Sequence, residues 1–149
     1  MNLSKRLSLA AFGLLVLCAQ ALAADKDVID YRESVMKALK EQSAALGQIL
    51  SGSVPDDNAV AHLNALALLA SAAPKAFEPK VPGGEAKAQV WANWPDFSKR
   101  MNEFVQGINS AAKTANEQGK DAALGDILNA LDCKSCHEVY REEKKDPKS

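Results

Sequence analysis

The chain has 149 residues, with 18 basic and 19 acidic side chains and a formal net charge of −1. It therefore lacks the basic surplus that is typical of proteins that bind nucleic acid, and no such partner is expected. Alanine, leucine, lysine and glutamate are abundant and only 5% of the residues are aromatic, a composition that favours an all-α fold.

The N-terminus has the pattern of a secretory signal peptide. Lys5 and Arg6 precede an apolar run over residues 7–18, and residues 21–23 form an Ala-Leu-Ala cleavage site. The run is too short for a comfortable membrane span, so we expect residues 1–23 to be removed, although an uncleaved anchor is the alternative. Residues 24–149 then form one exported, periplasmic domain without a membrane span. Its 126 residues keep 16 basic and 19 acidic side chains, a net charge of −3.

Apolar residues recur at steps of three and four in four segments, which predicts four amphipathic helices. The first covers residues 25–51 and stops before Gly52, and the second covers residues 55–72 after a Pro-Asp-Asp start. Residues 73–88, rich in proline and glycine, form a long loop. The chain then continues into the third and fourth helices.

The third helix starts with Asn93 as a possible cap and Pro95 in its first turn. The fourth starts after Gly119 with Asp121 as its N-cap and continues through the C-terminal cysteines. Trp91 and Trp94 precede the third helix and are expected to pack at one end of the fold. Four helices with mostly short connections predict an antiparallel four-helix bundle.

Residues 133–137 read Cys-Lys-Ser-Cys-His, the C-x-x-C-H pattern of covalent haem attachment. In such a site the thiols of Cys133 and Cys136 form thioethers with the haem vinyl groups, and His137 binds the iron as the proximal ligand. Residues three and four apart share one helix face, so the three side chains can meet one porphyrin. The sequence therefore predicts one haem c with its iron.

Three other kinds of site also use two cysteines at this spacing: a thioredoxin-like redox pair, a zinc site and a structural disulfide. A thioredoxin-like pair needs a βαβ pattern, which the sequence lacks. A zinc site needs four ligands, and the mature chain adds only His62, which lies off the apolar stripe of its helix. A disulfide within one helical turn has poor geometry. The histidine after the second cysteine and the export signal favour haem.

The chain resembles the class II c-type cytochromes, the cytochrome c′ and c-556 group. Residues 30–37 match the opening-helix pattern Y-R-x-x-x-M/L, residues 83–91 resemble the loop that leads into a tryptophan, and residues 136–141 match the closing C-H-x-x-Y/F-R. The resemblance implies a four-helix bundle with the haem near one end. It also implies that Met36 lies over the distal face and that Arg32 binds a haem propionate, with a salt bridge on the helix surface as the alternative for Arg32. Glu33 is next to Arg32 and is expected to contact the haem edge.

Two functions follow from the role of Met36. If its sulfur binds the iron, the protein is a low-spin His/Met one-electron carrier that exchanges electrons with periplasmic redox proteins, which is our first hypothesis. If Met36 only packs, as methionines on apolar stripes usually do, the iron is five-coordinate and binds nitric oxide or carbon monoxide. No catalytic constellation is visible, so an enzyme is not expected. Both a monomer and a homodimer are compatible with the sequence.

Two residues after the haem motif complete the predicted site. Arg141 lies one turn after His137 and is expected near the proximal imidazole, unless it only extends a solvated helix end. Tyr140 is expected to pack rather than to take part in chemistry.

Overall fold

The computed structural model describes the backbone of residues 3–143 and the side chains from residue 25 onward. In this range the chain forms six helices: α1 (Leu3–Leu50), α2 (Ala59–Phe77), α3 (Gln89–Ala92), α4 (Trp94–Gln118), α5 (Leu124–Ala130) and α6 (Cys133–Tyr140). α1 packs on α2, α2 on α4, and α4 on α5, while the short α3 and α6 pack near one end of α4. The predicted all-α four-helix bundle is confirmed.

α1 ends where the sequence predicts, because Gly52 follows with a φ of 73°. Its buried side chains recur at helical spacing and include one charged residue: Arg32, Val35, Leu39, Leu46 and Ile49. Met36 lies at the border of this stripe and is half-buried against the core. The backbone of α1 also covers the predicted cleavage site, and the side chains of residues 1–24 lie outside the described part. Cleavage therefore stays a prediction.

α2 continues five residues beyond the predicted end and includes Pro74. A proline inside a helix removes one backbone hydrogen bond, which costs about 3 kcal/mol. Ala73, Ala76 and Phe77 are all buried, so the apolar contacts of this last turn offset that cost. The predicted loop start at residue 73 is wrong for this reason.

Among the described residues, α2 is also the one helix that is long and apolar enough to cross a membrane. A third of its apolar window is buried inside the protein, and it packs between α1 and α4. These contacts are those of a core helix in a bundle.

α4 carries the most regular buried stripe. Pro95 lies in its first turn as predicted, while Asn93 precedes the helix without a capping hydrogen bond from its side chain. The buried residues follow steps of three, four and seven, as expected for a helix that packs on two neighbours: Phe97, Met101, Ile108, Ala111, Ala112 and Ala115.

The predicted fourth helix is broken into two pieces. α5 starts at Leu124 without a side-chain cap, so the prediction that Asp121 caps it is wrong; Asp121 instead pairs with Lys120. α5 ends before Leu131, and α6 starts at Cys133 with Asp132 as its N-cap. The Asp132 side chain accepts the backbone N–H of Ser135, which starts a new helix at the haem motif.

Candidate haem site

The haem motif occupies the first turns of α6. The Asp132 carboxylate accepts the Ser135 N–H at 3.4 Å, and the Ser135 hydroxyl donates back to the Asp132 carbonyl at 3.1 Å. Cys133, Cys136 and His137 follow at positions i, i+3 and i+4 of one helix, as the sequence predicts. Both thiols are free; Cys133 is exposed, whereas Cys136 and His137 are half-buried.

Burial dominates the protonation of these three groups. It raises the pKa of the half-buried Cys136 thiol. Cys133 is exposed as a residue, but neighbouring protein atoms partly desolvate its sulfur, which raises the pKa of that thiol as well, and Asp132 adds to the effect. Burial also lowers the pKa of His137, and the positive charge of Arg141 lowers that pKa further. Arg141 is thus close enough to act on the imidazole electrostatically, as predicted. The lowered pKa favours the neutral imidazole, which is the form that binds iron.

Arg32 lies on α1 and is almost fully buried, with 2% of its surface exposed. Its guanidinium donates to the carbonyl oxygens of Val81 and Gly83 at 3.1 and 2.8 Å. It also stacks over the rings of Phe77 and Trp91, at 5.4 and 5.1 Å from their centres. Burial lowers its pKa, and Glu33 partly offsets this. Arg32 therefore attaches the loop before α3 to α1; the predicted contact with a haem propionate stays a prediction.

Residues 83–84 of this loop lie directly against α1. A Cβ atom at Gly83 would stand 2.7 Å from Ile29 Cδ1, and one at Gly84 would meet the carboxylate of Glu33. Glu33 is exposed and flanks the loop, and its predicted contact with the haem edge is untested. Both glycines also have positive φ, at 138° and 59°. The Gly-Gly pair thus permits an approach of loop and helix that other residues would block.

We expect Gly84→Ala to destabilise the protein by about 1–2 kcal/mol, because alanine resists positive φ and its Cβ atom meets Glu33 and Ile29. The matched control is Gly47→Ala in α1, where φ is helical and no atom lies within 4 Å. That change should stabilise by about 0.5–1 kcal/mol. Urea denaturation of both variants measures the two effects, and a neutral Gly84→Ala would contradict the close packing of the loop.

The same loop joins α1 to the end of α6. The backbone N–H of Lys87 donates to the Tyr140 carbonyl at 3.0 Å, and that of Glu142 donates to the Glu85 carbonyl at 2.8 Å. Ala86 and Arg141 form an isolated antiparallel bridge. Arg32 and Glu33 on α1 are thus joined, through this loop, to the end of α6. Met36 lies one turn after Arg32.

Tyr140 and Asp96 form a contact that sequence analysis did not find. The hydroxyl of Tyr140 donates to Asp96 Oδ2 at 2.5 Å, and Arg100 Nε donates to the same oxygen at 2.7 Å. Tyr140 is buried as predicted, and burial together with Asp96 raises its pKa to about 12. The hydrogen bond from Tyr140 and then that from Arg100 lower the pKa of Asp96. The four-residue spacing of Asp96 and Arg100 is visible in the sequence, but a partner 44 positions away is not.

The residues present fit a haem c. Two free thiols and one imidazole share a helix turn, and within the described residues no group of three or more His, Cys, Asp or Glu side chains offers an alternative metal site. Leu124 and Leu128 on α5 are 40% and 63% exposed, whereas Ile127 takes the buried position between them. α5 packs on α4, and among the described residues no comparable packing joins α5 to α1.

Comparisons with known proteins show which family of proteins the chain is similar to. The family model described as Cytochrome C′ matches residues 27–141. The chain is 30% identical to cytochrome c′ of Alcaligenes xylosoxydans xylosoxydans, over 82% of this chain and 98% of the relative. It is 29% identical to cytochrome c-556 of Rhodopseudomonas palustris, over 87% and 93%.

The chain is also similar to solved structures of cytochrome c prime. Cytochrome c prime from Shewanella frigidimarina matches with a TM-score of 0.69 and 25% identity, over 80% of this chain and 97% of the other. The nitric oxide complex of a leucine-to-valine mutant of cytochrome c prime from Alcaligenes xylosoxidans matches with the same four values, 0.69, 25%, 80% and 97%.

Proposed function

The chain belongs to the cytochrome c′ family, whose members carry a covalently attached haem c, and we propose that it binds nitric oxide and carbon monoxide at a five-coordinate iron in the periplasm. The observation that carries the proposal is the half-buried imidazole of His137 beside two free thiols, in a family with structures of nitric oxide complexes. The haem supplies the iron to which the gas binds; the protein supplies its attachment and surroundings.

Each motif residue has one role in this proposal. Cys133 and Cys136 hold the haem through thioethers, and His137 is the proximal ligand in its neutral form. Met36 packs over the distal side without binding the iron, in agreement with its partial burial against the core. The distal side is then apolar, which suits neutral diatomic gases.

The first hypothesis, a low-spin His/Met electron carrier, receives less support. Curated relatives of the chain include cytochromes c′ from several organisms, and the solved structures similar to it include nitric oxide complexes of cytochrome c prime. Electron transfer with Met36 as a ligand remains the second candidate because the distal position carries a thioether and one relative is a cytochrome c-556. Optical spectroscopy separates the two functions.

We expect the ferrous protein to have a high-spin spectrum that shifts on addition of carbon monoxide or nitric oxide. Met36→Leu should keep this behaviour, because removing a residue that only packs leaves the iron five-coordinate. Met101→Leu is the matched control, since Met101 is a buried methionine of α4 with 6% exposure. A low-spin spectrum that ignores carbon monoxide in the natural protein, and becomes high-spin only in Met36→Leu, would replace our proposal with the electron carrier.

A further inference from the structure

The helix that carries the haem motif, α6, has few packing contacts with the rest of the protein. α6 is eight residues long, and its main packing partners among the described helices are α3 and α4. Of its eight residues, Tyr140 alone is buried, with 3% of its surface exposed. The orientation of the whole helix therefore depends strongly on what Tyr140 contacts.

Tyr140 is fixed from three directions. Its ring packs edge-on against Phe97, with 5.2 Å between the ring centres and 80° between the planes. Its carbonyl accepts the Lys87 N–H at 3.0 Å. Its hydroxyl donates to Asp96 at 2.5 Å and accepts a longer bond from the Asn93 amide at 3.4 Å. Asp96 is the closest polar partner of this side chain.

Asp96 is itself held in place. It lies in the first turn of α4, and Arg100, one turn later, binds the same oxygen at 2.7 Å. Both side chains are a little over one-third exposed, at 37% and 38%, so the ion pair alone contributes little to stability. The pair instead gives the Tyr140 hydroxyl an acceptor with a fixed position.

We propose that Asp96 is a positioning residue for the haem: through the Tyr140 hydroxyl it fixes the rotation of α6 and thereby the orientation of the His137 imidazole toward the iron. Tyr140 lies four residues after Cys136 and three after His137, so all three are within one turn of the same short helix. A shift of Tyr140 therefore moves the Cys136 thiol and the His137 imidazole together. The inference rests on the proposed function only in assigning the iron to His137.

A direct effect of charge is the competing explanation, and two substitutions separate it from positioning. Asp96→Asn removes the charge and weakens the acceptor, whereas Tyr140→Phe removes the hydrogen bond and leaves the Asp96–Arg100 pair intact. If Asp96 acts through Tyr140, both changes alter the haem alike, and the double variant changes it no further. Glu103→Gln is the matched control, because Glu103 forms an exposed pair with Lys99 on the same helix.

The experiment measures the reduction equilibrium of the haem and the iron–histidine stretching frequency of the ferrous protein by resonance Raman spectroscopy. Outer partners of metal ligands typically change affinity or activity by about 10- to 100-fold. For this more distant contact we expect a change of about three- to tenfold in the reduction equilibrium constant, which is up to about 59 mV for one electron. The stretching frequency should shift in both single variants and remain unchanged in Glu103→Gln.

Two outcomes would overturn the inference. If Tyr140→Phe leaves the frequency and the equilibrium unchanged while Asp96→Asn alters them, the carboxylate acts by its charge alone. If neither variant differs from the natural protein, the contact is only structural. Failure of the proposed function gives a different result, since the natural protein would then lack a gas-sensitive haem before any substitution is made.

Discussion

Replacing Arg32 by glutamine should lower the free energy of unfolding of the haem-loaded protein by about 3–5 kcal/mol. Two hydrogen bonds from a charged donor, to the carbonyls of Val81 and Gly83, are lost, at about 1.5–3 kcal/mol each. Stacking over Phe77 and Trp91 adds to the loss. In a bundle of this size the melting temperature should fall by about 10 °C or more.

The Arg32→Lys variant distinguishes two roles of the guanidinium: attachment of the loop to α1 and binding to a haem propionate. A lysine keeps the positive charge, so it should preserve much of an interaction with a haem propionate. It cannot reach two carbonyls with a planar fork or stack between two rings, so it should lose most of the attachment of the loop. We expect Arg32→Lys to be nearly as unstable as Arg32→Gln, and residues 78–88 to become sensitive to limited proteolysis in both.

The control is Lys99→Gln, which removes an exposed cation paired with Glu103 on α4. Such a pair contributes about 0–1 kcal/mol, so its unfolding curve should overlap that of the natural protein. Stability retained in Arg32→Lys but lost in Arg32→Gln would show that charge matters more than the contacts with the loop, and would favour the propionate.

Much of the fold could be predicted because it depends on local periodicity. The buried stripe of α4 is regular over many turns. On α1 the helical spacing is also kept, but Val35 and Ile49 are buried rather than their neighbours Met36 and Leu50. The C-x-x-C-H motif could be assigned for a similar reason, since its chemistry requires three residues within one turn. These are features that neighbouring positions in the sequence determine by themselves.

The errors arise where tertiary contacts outweigh local signals. Pro74 is a normal stop signal, yet the buried side chains around it extend α2 to Phe77. Leu128 has the right spacing for the core, but Ile127 occupies the buried position because α5 is a separate helix with its own rotation. The predicted fourth helix breaks between α5 and α6 because Asp132 caps a new helix. The spacing of apolar residues does not predict this break.

The partners of charged residues were the least predictable part of the site. Arg32 lies among the buried residues of α1, and a buried charge needs partners. Its partners are backbone carbonyls 49 and 51 positions away. Every residue has a backbone carbonyl, so the sequence does not indicate which ones Arg32 binds. Asp96 and Tyr140 are equally remote from each other. Such contacts depend on how the loop before α3 folds between two helices.

Replacing both motif cysteines, in Cys133→Ala/Cys136→Ala, should abolish the retention of haem after denaturation. Both thiols are free in the structure and lie one turn apart on α6, so each can form one thioether. With both removed, only the bond from His137 to the iron holds the haem, and unfolding breaks it. Haem staining of a denaturing gel, with the protein exported to the periplasm, measures the result.

The single variants test whether each cysteine forms its own link to the haem. Cys133→Ala and Cys136→Ala each leave one thioether, so each should retain covalent haem, at a lower yield than the natural protein. Haem that remains bound after denaturation in the double variant would mean that another residue forms the link, and would remove both cysteines from the site. A natural protein without stainable haem would instead favour one of the other cysteine sites considered from the sequence.

Cys18 provides a control that also tests the export signal. It lies in the predicted leader, five residues before the expected cleavage site after Ala23. Cys18→Ala should therefore leave the haem content unchanged, and the exported protein should have the mass of residues 24–149 plus one haem. A mature protein that still contained residue 18 would keep a third thiol and an apolar N-terminal segment, and the domain would then be anchored at the membrane rather than free in the periplasm.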